Sequence, residues 1–321
     1  MSVFANPHLA AEGVAPPSDE ARAFHEALPG YAPTPVREVG AALVKDESAR
    51  LGLPAFKVLG ASWAVERALR ERPDVDTLVA ASAGNHGRAV AHEARRRGLR
   101  ARVFLPRRSV AARREAIAGE GAEVVVVDGA YEEAVAAARE AGARAGALEV
   151  ADVGESGPAA WVIDGYATLF AEAAAQADFD AIVVPVGVGS LAAAAARFGA
   201  AAGVPVIGVE PAAAACLTES LRAGKPVVIP TPGTTMAGLD CAEVSEAAWP
   251  TLRDGIAATV TVTDDEAHAA MRDLAAAGLR IGESGAAPLA ALRTGAVEAR
   301  RPLLIATEGA TDPEAYARVV G

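Results

Sequence analysis

Short apolar runs alternate with helical patterns along most of this sequence. The runs begin with TLVAAS at residue 77 and continue with RARVFLP, EVVVVD and ALEVAD; a second set, AIVVPV, VPVIGVEP, ATVTVTD and PLLIAT, follows residue 180. Apolar strands that alternate with helices of about ten to fifteen residues are typical of parallel sheets with right-handed crossovers. The sequence therefore predicts an α/β fold with two open, mainly parallel sheets flanked by helices.

The two sets of strands predict two domains, the smaller inserted in the chain of the larger. The chain has 321 residues, which exceeds one typical domain of about 150 residues. The predicted small domain spans 77–157, and the predicted large domain combines 1–76 with 158–321. Residues 1–36 are rich in proline and weakly periodic, so we expect an extended N-terminal arm that lies on the main body.

Charge and composition exclude several kinds of partner. The formal net charge is −11 and no basic block offsets it, which argues against nucleic acid and against an anionic membrane. We find no signal peptide and no apolar stretch of about 18 residues with membrane character. Cys216 and Cys241 lack the spacing of a metal site or a disulfide framework. We therefore expect a cytoplasmic protein, and we assign no metal site.

One lysine, Lys57, lies inside the apolar run AFKVLG, which ought to be buried. A buried ammonium is costly, so such a lysine either pairs with an anion or loses its proton. The neutral amine is a nucleophile suited to forming a Schiff base. The alternative is a lysine that extends from the first helical turn into solvent. Apolar residues recur at helical spacing from Phe56 to Glu71, which places Lys57 at a helix start.

A glycine-containing turn, Gly187-Val188-Gly189-Ser190, joins the strand AIVVPV to an alanine-rich helix. Its backbone amides and the helix N-terminus form a place where an anion such as phosphate can bind. Such turns also serve close packing alone, and this alternative stays open. The sequence has neither GxxxxGK[ST] nor GxGxxG at this kind of junction, which argues against nucleotide hydrolysis and dinucleotide binding.

A second loop, SAGNHG from Ser82, joins another predicted strand to a helix. It offers a hydroxyl, an amide and several backbone donors in one place, which suits a carboxylate group. In the alternative interpretation, Ser82 only caps the helix and His86 only packs.

Three further residues stand at the ends of predicted strands or at a helix start. Thr307 follows PLLIA and could place a neutral hydroxyl against a ring nitrogen. Asp152 ends ALEVAD and could be a base, an ammonium-binding group or a cap. Glu283 begins a predicted helix in GESGAA and could contact a ligand. Ligands of open α/β sheets bind beyond the carboxyl ends of the strands, where these loops fall.

Taken in order, these segments resemble the fold-type II pyridoxal-phosphate enzymes, the group of threonine dehydratase, cysteine synthase and the tryptophan synthase β-chain. More narrowly, the sequence is similar to the diaminopropionate ammonia-lyases. The resemblance covers nearly the whole chain and rests on LPGYAPTP, KDESARLGLPAFKVLGAS, SAGNHGRAVA, ADVGESGPAAWVIDGYATL, PVGVGSLA, TTMAGLDCAE, GESGAA and LLIATEGATDP.

The resemblance implies that pyridoxal 5'-phosphate is the cofactor and that Lys57 binds it covalently as a Schiff base. It implies that Asn85 hydrogen-bonds the phenolic oxygen and that Thr307 faces the pyridine nitrogen. A hydroxyl at that place cannot hold the ring nitrogen protonated, which favours β-elimination over transamination. The resemblance assigns phosphate binding to four consecutive residues, Gly187, Val188, Gly189 and Ser190.

The resemblance also implies a small amino-acid substrate. It implies that Lys57 removes the α-proton and that Asp152 assists the protonation of the leaving amine. The residues implied to bind the substrate are Ser82, Ala83, Gly84, His86 and Glu283. The ammonia-lyase pattern has an aspartate, associated with the D-isomer, where Ala83 stands, so we expect a strong preference for the L-isomer. The chain is also shorter than the usual lyase.

The resulting hypothesis is a β-eliminating ammonia-lyase that converts L-2,3-diaminopropionate to pyruvate and ammonia. The loop SAGNHG also fits an L-serine or L-threonine dehydratase. A β-replacement synthase of the cysteine synthase type and a pyridoxal-phosphate-binding sensor without turnover are further alternatives. The family implies a homodimer.

Overall fold

The computed structural model describes residues 2–82, 84–129 and 131–321. The chain divides into two compact units. The larger unit combines Met1–Phe56 with Tyr166–Gly321, and the smaller unit is Lys57–Gly165.

The strands form two separate sheets, one in each unit. In chain order, the strands are β1 (Ser2–Ala5), β2 (Val36–Val39), β3 (Ala42–Asp46), β4 (Thr77–Ala81), β5 (Arg100–Pro106), β6 (Glu123–Val127), β7 (Ala147–Glu149), β8 (Ala181–Pro185), β9 (Val206–Pro211), β10 (Ala258–Val262) and β11 (Pro302–Ala306).

Helices precede, follow or connect most of these strands. In chain order, the α-helices are α1 (Glu20–Glu26), α2 (Lys57–Glu71), α3 (Asn85–Arg97), α4 (Ala111–Gly119), α5 (Tyr131–Gly142), α6 (Pro158–Gln176), α7 (Ser190–Ala202), α8 (Cys216–Ala223), α9 (Trp249–Gly255), α10 (Asp264–Ala276), α11 (Glu283–Arg293) and α12 (Pro313–Val320). Within the described residues, none of these helices is long and apolar enough to cross a membrane.

The sheet of the larger unit has the order β1-β10-β9-β8-β11-β3-β2 among the described residues. The interior pairs are parallel, whereas β1 and β2 pair antiparallel with their neighbours at the two edges. The interior strands β8 and β11 are buried along their whole length. Continuous burial explains why both strands read as uninterrupted apolar runs rather than as alternating patterns.

The sheet of the smaller unit has the order β6-β5-β4-β7, and its described pairs are all parallel. Ala134 and Ala138, one turn apart on α5, belong to the same core cluster as Val79 of β4 and Phe104 of β5. Because these alanines repeat at helical spacing, they form a narrow apolar stripe that packs on the sheet. The prediction of two open, mainly parallel sheets flanked by helices is confirmed.

Two details differ from the sequence-based picture. The N-terminal arm, 1–36, is extended only in part, because it contains the short helix α1 and a 3-10 turn at Ala11–Gly13. The predicted small domain, 77–157, contains the same four strands as the smaller unit, whereas the smaller unit also includes α2. The predicted domain boundaries therefore stay a prediction.

Candidate active site

Lys57 is the first residue of α2, as the apolar spacing predicts. The next residues of the helix, from Val58 to Val65, are all buried, which holds the helix start firmly in the smaller unit. The Lys57 side chain is 20% exposed, and its Nζ donates a hydrogen bond to Oδ2 of Asp152 at 2.7 Å. Lys57 thus pairs with an anion and does not extend into solvent.

Asp152 lies just beyond β7, at the carboxyl end of the sheet of the smaller unit. Its side chain is 16% exposed. Burial alone would raise the pKa of this carboxyl, but positive charge at His86 and Lys57 and the hydrogen bond from Lys57 lower it well below the usual range. Because burial lowers the pKa of His86, we assign the effect to the Lys57 ammonium. Asp152 is therefore ionised at neutral pH.

His86 lies in the first turn of α3 and is only 3% exposed. Its Nε2 is 2.7 Å from the carbonyl oxygen of Val150. Its Nδ1 is 3.9 Å from Oδ2 of Asp152. The structure thus brings His86, Asp152 and Lys57 together, in line with the sequence-based site, while the contact of His86 with substrate stays a prediction.

The loop before α3 is shaped by glycines. A Cβ at Gly87 would lie 2.2 Å from the carbonyl oxygen of Ser82, so only glycine allows the helix to start this close to the loop. Ser82 does not cap α3: the N-cap is Gly84, without a side-chain hydrogen bond, and the Oγ of Ser82 instead accepts from the N–H of Gly84 at 3.3 Å. The capping alternative for Ser82 is thus wrong. Ala83 lies outside the described residues.

In the larger unit, the turn 187–190 connects β8 to α7. Gly189 has a φ of +95° and is the N-cap of α7, with no side-chain cap among the described residues. The carbonyl oxygen of Val188 accepts a hydrogen bond from the N–H of Ser245 at 2.8 Å. A Cβ at Gly187 would lie 2.7 Å from the carbonyl oxygen of Gly238. The turn is therefore closely packed, and the N-cap residue of the helix that follows it, Gly189, has no side chain that could accept from the first N–H groups.

Thr307 follows β11 directly and is buried. Its carbonyl oxygen accepts a hydrogen bond from the N–H of Phe56 at 3.2 Å, and the N–H of Gly309 donates to Pro54 at 2.9 Å. An isolated bridge joins Ala55 to Glu308 between these bonds. The segment 54–56, which leads directly into Lys57, is therefore paired with 307–309.

Glu283 is the first residue of α11 and is half-buried. The next residue, Ser284, accepts a hydrogen bond at Oγ from the N–H of Gly238 at 3.2 Å. A Cβ at Gly285 would lie 3.1 Å from the backbone nitrogen of Thr307. The start of α11 thus lies against Thr307 and against Gly238, which in turn adjoins the turn 187–190.

A buried ion network in the larger unit was not predicted from the sequence. Arg50 pairs with Glu47 and with Glu172, each at 2.6 Å, and the Nζ of Lys45 pairs with Glu172 at 2.7 Å. All four side chains are buried, and the nearby Thr34 accepts from Lys45 at its carbonyl oxygen. The charged residues of KDESAR, which follow an apolar strand directly, are the sequence signal that could have indicated this network.

Taken by itself, each unit carries groups that suit pyridoxal 5'-phosphate. The smaller unit supplies an amine at Lys57 and an amide at Asn85, which is the first residue of α3. The larger unit supplies a helix N-terminus without a side-chain cap, which suits a phosphate, and the neutral hydroxyl of Thr307. Among the described residues, no cluster of potential metal ligands competes with this interpretation.

Comparison with known proteins gives the same answer. Residues 27–308 match the family model described as pyridoxal-phosphate dependent enzyme. The chain is 32% identical to diaminopropionate ammonia-lyase of Salmonella typhimurium, over 94% of this chain and 91% of that protein. That alignment spans 367 positions, more than the 321 residues of this chain, so the relative carries insertions with respect to it.

Two solved structures extend the comparison. Diaminopropionate ammonia lyase from Escherichia coli, in complex with an aminoacrylate-PLP azomethine reaction intermediate, superposes with a TM-score of 0.90 at 29% identity, over 99% of this chain and 96% of that one. Threonine deaminase isoform 2 from Solanum lycopersicum superposes with a TM-score of 0.83 at 25% identity, over 99% and 91%. The chain belongs to the family of pyridoxal-phosphate dependent enzymes, and its cofactor is pyridoxal 5'-phosphate.

Proposed function

We propose that this enzyme is an ammonia-lyase that acts on L-2,3-diaminopropionate and yields pyruvate and ammonia. The observation that carries the proposal is the pair formed by the Lys57 amine and the Asp152 carboxylate, 2.7 Å apart. The pair offers a base and an acid at one place, as the removal of a proton and of an amine requires. The likeness to diaminopropionate ammonia-lyases over 94% of the chain supports the choice of substrate.

The cofactor, when bound, withdraws electrons from the substrate carbon that loses its proton. Lys57 is the base that removes this proton, and it does so only as a neutral amine. Asp152 accepts a proton from Lys57 Nζ and delivers a proton to the departing β-amine. Ser82 and the neighbouring backbone amides bind the substrate carboxylate, and Asn85 orients the ring.

The charge of Asp152 supports diaminopropionate over serine or threonine. Lys57 keeps the pKa of the Asp152 carboxyl well below its usual range, so this carboxyl is an anion at neutral pH. A carboxylate pairs with the ammonium that forms when the β-amine of diaminopropionate takes up the delivered proton, whereas it gains less from the neutral hydroxyl of serine or threonine. A protonated amine is also the better leaving group. Diaminopropionate is thus distinguished from serine and threonine by the charge of the group on its β-carbon.

A substrate panel tests the proposal. We expect kcat/KM for L-2,3-diaminopropionate to exceed that for L-serine and L-threonine by about tenfold or more, since a charge-assisted contact is about twice as strong as a neutral one. We also expect the D-isomer to react far more slowly than the L-isomer, because the sequence has Ala83 in place of an aspartate. Pyruvate and ammonia release are measured with each compound, and comparable rates for the enantiomers would contradict the stereochemical expectation.

A dehydratase is the second candidate. It is favoured by the loop from Ser82 to Gly87 and by 35% identity to the threonine dehydratase of Escherichia coli over 48% of this chain. Faster turnover of L-serine or L-threonine than of diaminopropionate in the same panel would favour it. Product formed only when an external nucleophile is added would instead indicate a β-replacement synthase.

The phosphate-binding turn gives a prediction with a matched control. Gly189 and Gly203 flank α7, and both have a positive φ, +95° and +68°. A Cβ at Gly189 would lie 2.5 Å from Cδ1 of Leu252, whereas a Cβ at Gly203 would meet nothing within 4 Å. We expect Gly189→Ala to weaken cofactor binding by about tenfold or more, because the turn must shift, and Gly203→Ala to leave it unchanged. Fluorescence titration measures the dissociation constant of the cofactor in each variant. Equal dissociation constants for Gly189→Ala and Gly203→Ala would mean that the turn does not bind the phosphate.

Three further features are proposed on the family resemblance and on composition. We propose that the enzyme is a homodimer, that it acts in the cytoplasm, and that its domains divide near residues 77 and 157. In the described part of the chain, Cys216 and Cys241 form no disulfide, which supports a reducing compartment.

A further inference from the structure

The tautomer of His86 follows from its hydrogen bond. Nε2 lies 2.7 Å from the carbonyl oxygen of Val150, and a carbonyl oxygen can only accept. Nε2 therefore carries the hydrogen and donates it. Burial lowers the pKa of this imidazole, so near neutral pH the ring is neutral and Nδ1 carries a lone pair.

The Nδ1 atom of His86 is fully buried and has no hydrogen-bond partner among the described residues. It lies 3.9 Å from Oδ2 of Asp152, the same oxygen that accepts from Lys57. A lone pair that faces a carboxylate gains nothing while that carboxylate is ionised. The same lone pair becomes useful as soon as the oxygen carries a hydrogen.

We propose that His86 is a positioning residue for Asp152: its Nδ1 accepts the hydrogen that Oδ2 of Asp152 carries whenever the Lys57 amine is neutral. This inference rests on the proposed function, in which Lys57 acts as the base. The N–H bond of the Lys57 ammonium breaks, the O–H bond of Asp152 forms, and the three groups keep the same total charge. A movement of about 1 Å closes the gap between Oδ2 and Nδ1 to hydrogen-bond distance.

The acceptor matters because Asp152 is largely buried. A buried hydroxyl of a protonated carboxyl without an acceptor is disfavoured by about tenfold or more. With Nδ1 in place, the protonated state of Asp152 is satisfied, and the neutral form of Lys57 is populated more at a given pH. The titratable groups that face His86 are Lys57 from α2 and Asp152 after β7.

Histidine titration by nuclear magnetic resonance tests the proposal on the full-length chain without turnover. The sequence has five histidines, so single replacements by glutamine assign every signal. We expect the Nε2–H tautomer for His86 at neutral pH. We expect Lys57→Ala to raise its titration midpoint by about one pH unit or more, because Asp152 then lacks a cation and holds the imidazolium, and Asp152→Asn to lower it.

His92 provides the control within the same helix. It also lies on α3, where its Nδ1 is 3.0 Å from Oε2 of Glu120. We expect neither substitution to shift its imidazole signals at a given pH. An Nδ1–H tautomer for His86 would overturn the proposal. The same titration midpoint for His86 in the wild type, in Lys57→Ala and in Asp152→Asn would also overturn it. These results do not depend on the substrate, so a failure of the proposed lyase activity is distinguishable.

Two variants of His86 separate positioning from mere anchoring. His86→Asn places an amide oxygen where Nδ1 stood, whereas His86→Gln places an amide nitrogen where Nε2 stood and can keep the bond to Val150. We expect kcat to fall about tenfold more in His86→Gln than in His86→Asn, with the acid limb of the pH profile moved to higher pH and KM little changed. The opposite order would mean that His86 only anchors the backbone.

Discussion

Replacing Lys57 by alanine is expected to lower turnover by about 10⁴-fold or more, because the variant lacks both the amine that binds the cofactor covalently and the base that removes the proton. The visible absorbance of the bound cofactor should also shift to that of the free aldehyde. Asp152 also loses its hydrogen-bonded cation in this variant. Absorbance spectra and pyruvate release measure the two effects.

The chain offers a clear control, since it contains only three lysines, Lys45, Lys57 and Lys225. Lys225 is exposed, and Lys45 is buried against Glu172. Lys225→Ala should keep full activity. Reduction with borohydride followed by peptide mass analysis should find the cofactor on Lys57 alone. A label on either of the other lysines, or turnover by Lys57→Ala without cofactor, would refute the assignment.

Replacing Arg50 by methionine is expected to reduce the free energy of unfolding by about 3–5 kcal/mol. Arg50 makes buried ion pairs with Glu47 and Glu172, and Lys45 is the other buried cation of this network. Methionine fills a similar length but leaves two buried carboxylates facing one ammonium. Breaking such a network exposes the full desolvation cost of the charge left behind. Denaturation by urea, followed by circular dichroism, measures the change.

An exposed ion pair serves as the comparison. Arg22 pairs with Glu26 along α1 at 2.8 Å, with side chains that are 43% and 47% exposed. Arg22→Met should change the unfolding free energy by less than about 1 kcal/mol, because solvent already screens this pair. Equal decreases in the free energy of unfolding for Arg50→Met and Arg22→Met would show that the buried Arg50 network stabilises the fold no more than an exposed ion pair does.

Most interior elements were predictable because their signals are local. The strand RARVFLP coincides with β5, and α3 ends where Gly98, at a φ of +69°, follows a basic last turn. Apolar runs between turn residues mark parallel strands that are covered on both faces. These features are decided within about ten residues, so one sequence is sufficient to find them.

Elements that depend on partners were missed. The short helices α9 and α12 lack a long periodic pattern, and β1 is an edge strand of four residues that pairs with β10 across more than 250 residues of sequence. The helix predicted at GESGAA does begin at Glu283, but it also contains Pro288 in its interior. A proline normally indicates the first turn of a helix, but packing against buried neighbours overrides that preference here.

The same distinction holds for the site. Lys57 and the loops at 82, 187 and 307 were found from local patterns. The role of Asp152 stayed open among a base, an ammonium-binding group and a cap, because its pairing with Lys57 spans 95 residues of sequence. Among the described residues, Nδ1 of His86 has no hydrogen-bond partner, and no spacing rule predicts such a placement.

The pairing of 54–56 with 307–309 has a consequence for biosynthesis. The ribosome adds about 5–20 residues per second, so roughly ten to fifty seconds pass between the synthesis of Lys57 and that of Thr307. During this interval the nascent chain cannot form the hydrogen bonds from Phe56 to Thr307 and from Gly309 to Pro54. Loading of the vitamin B6 cofactor onto the lysine in its final setting must therefore wait until translation has passed residue 309.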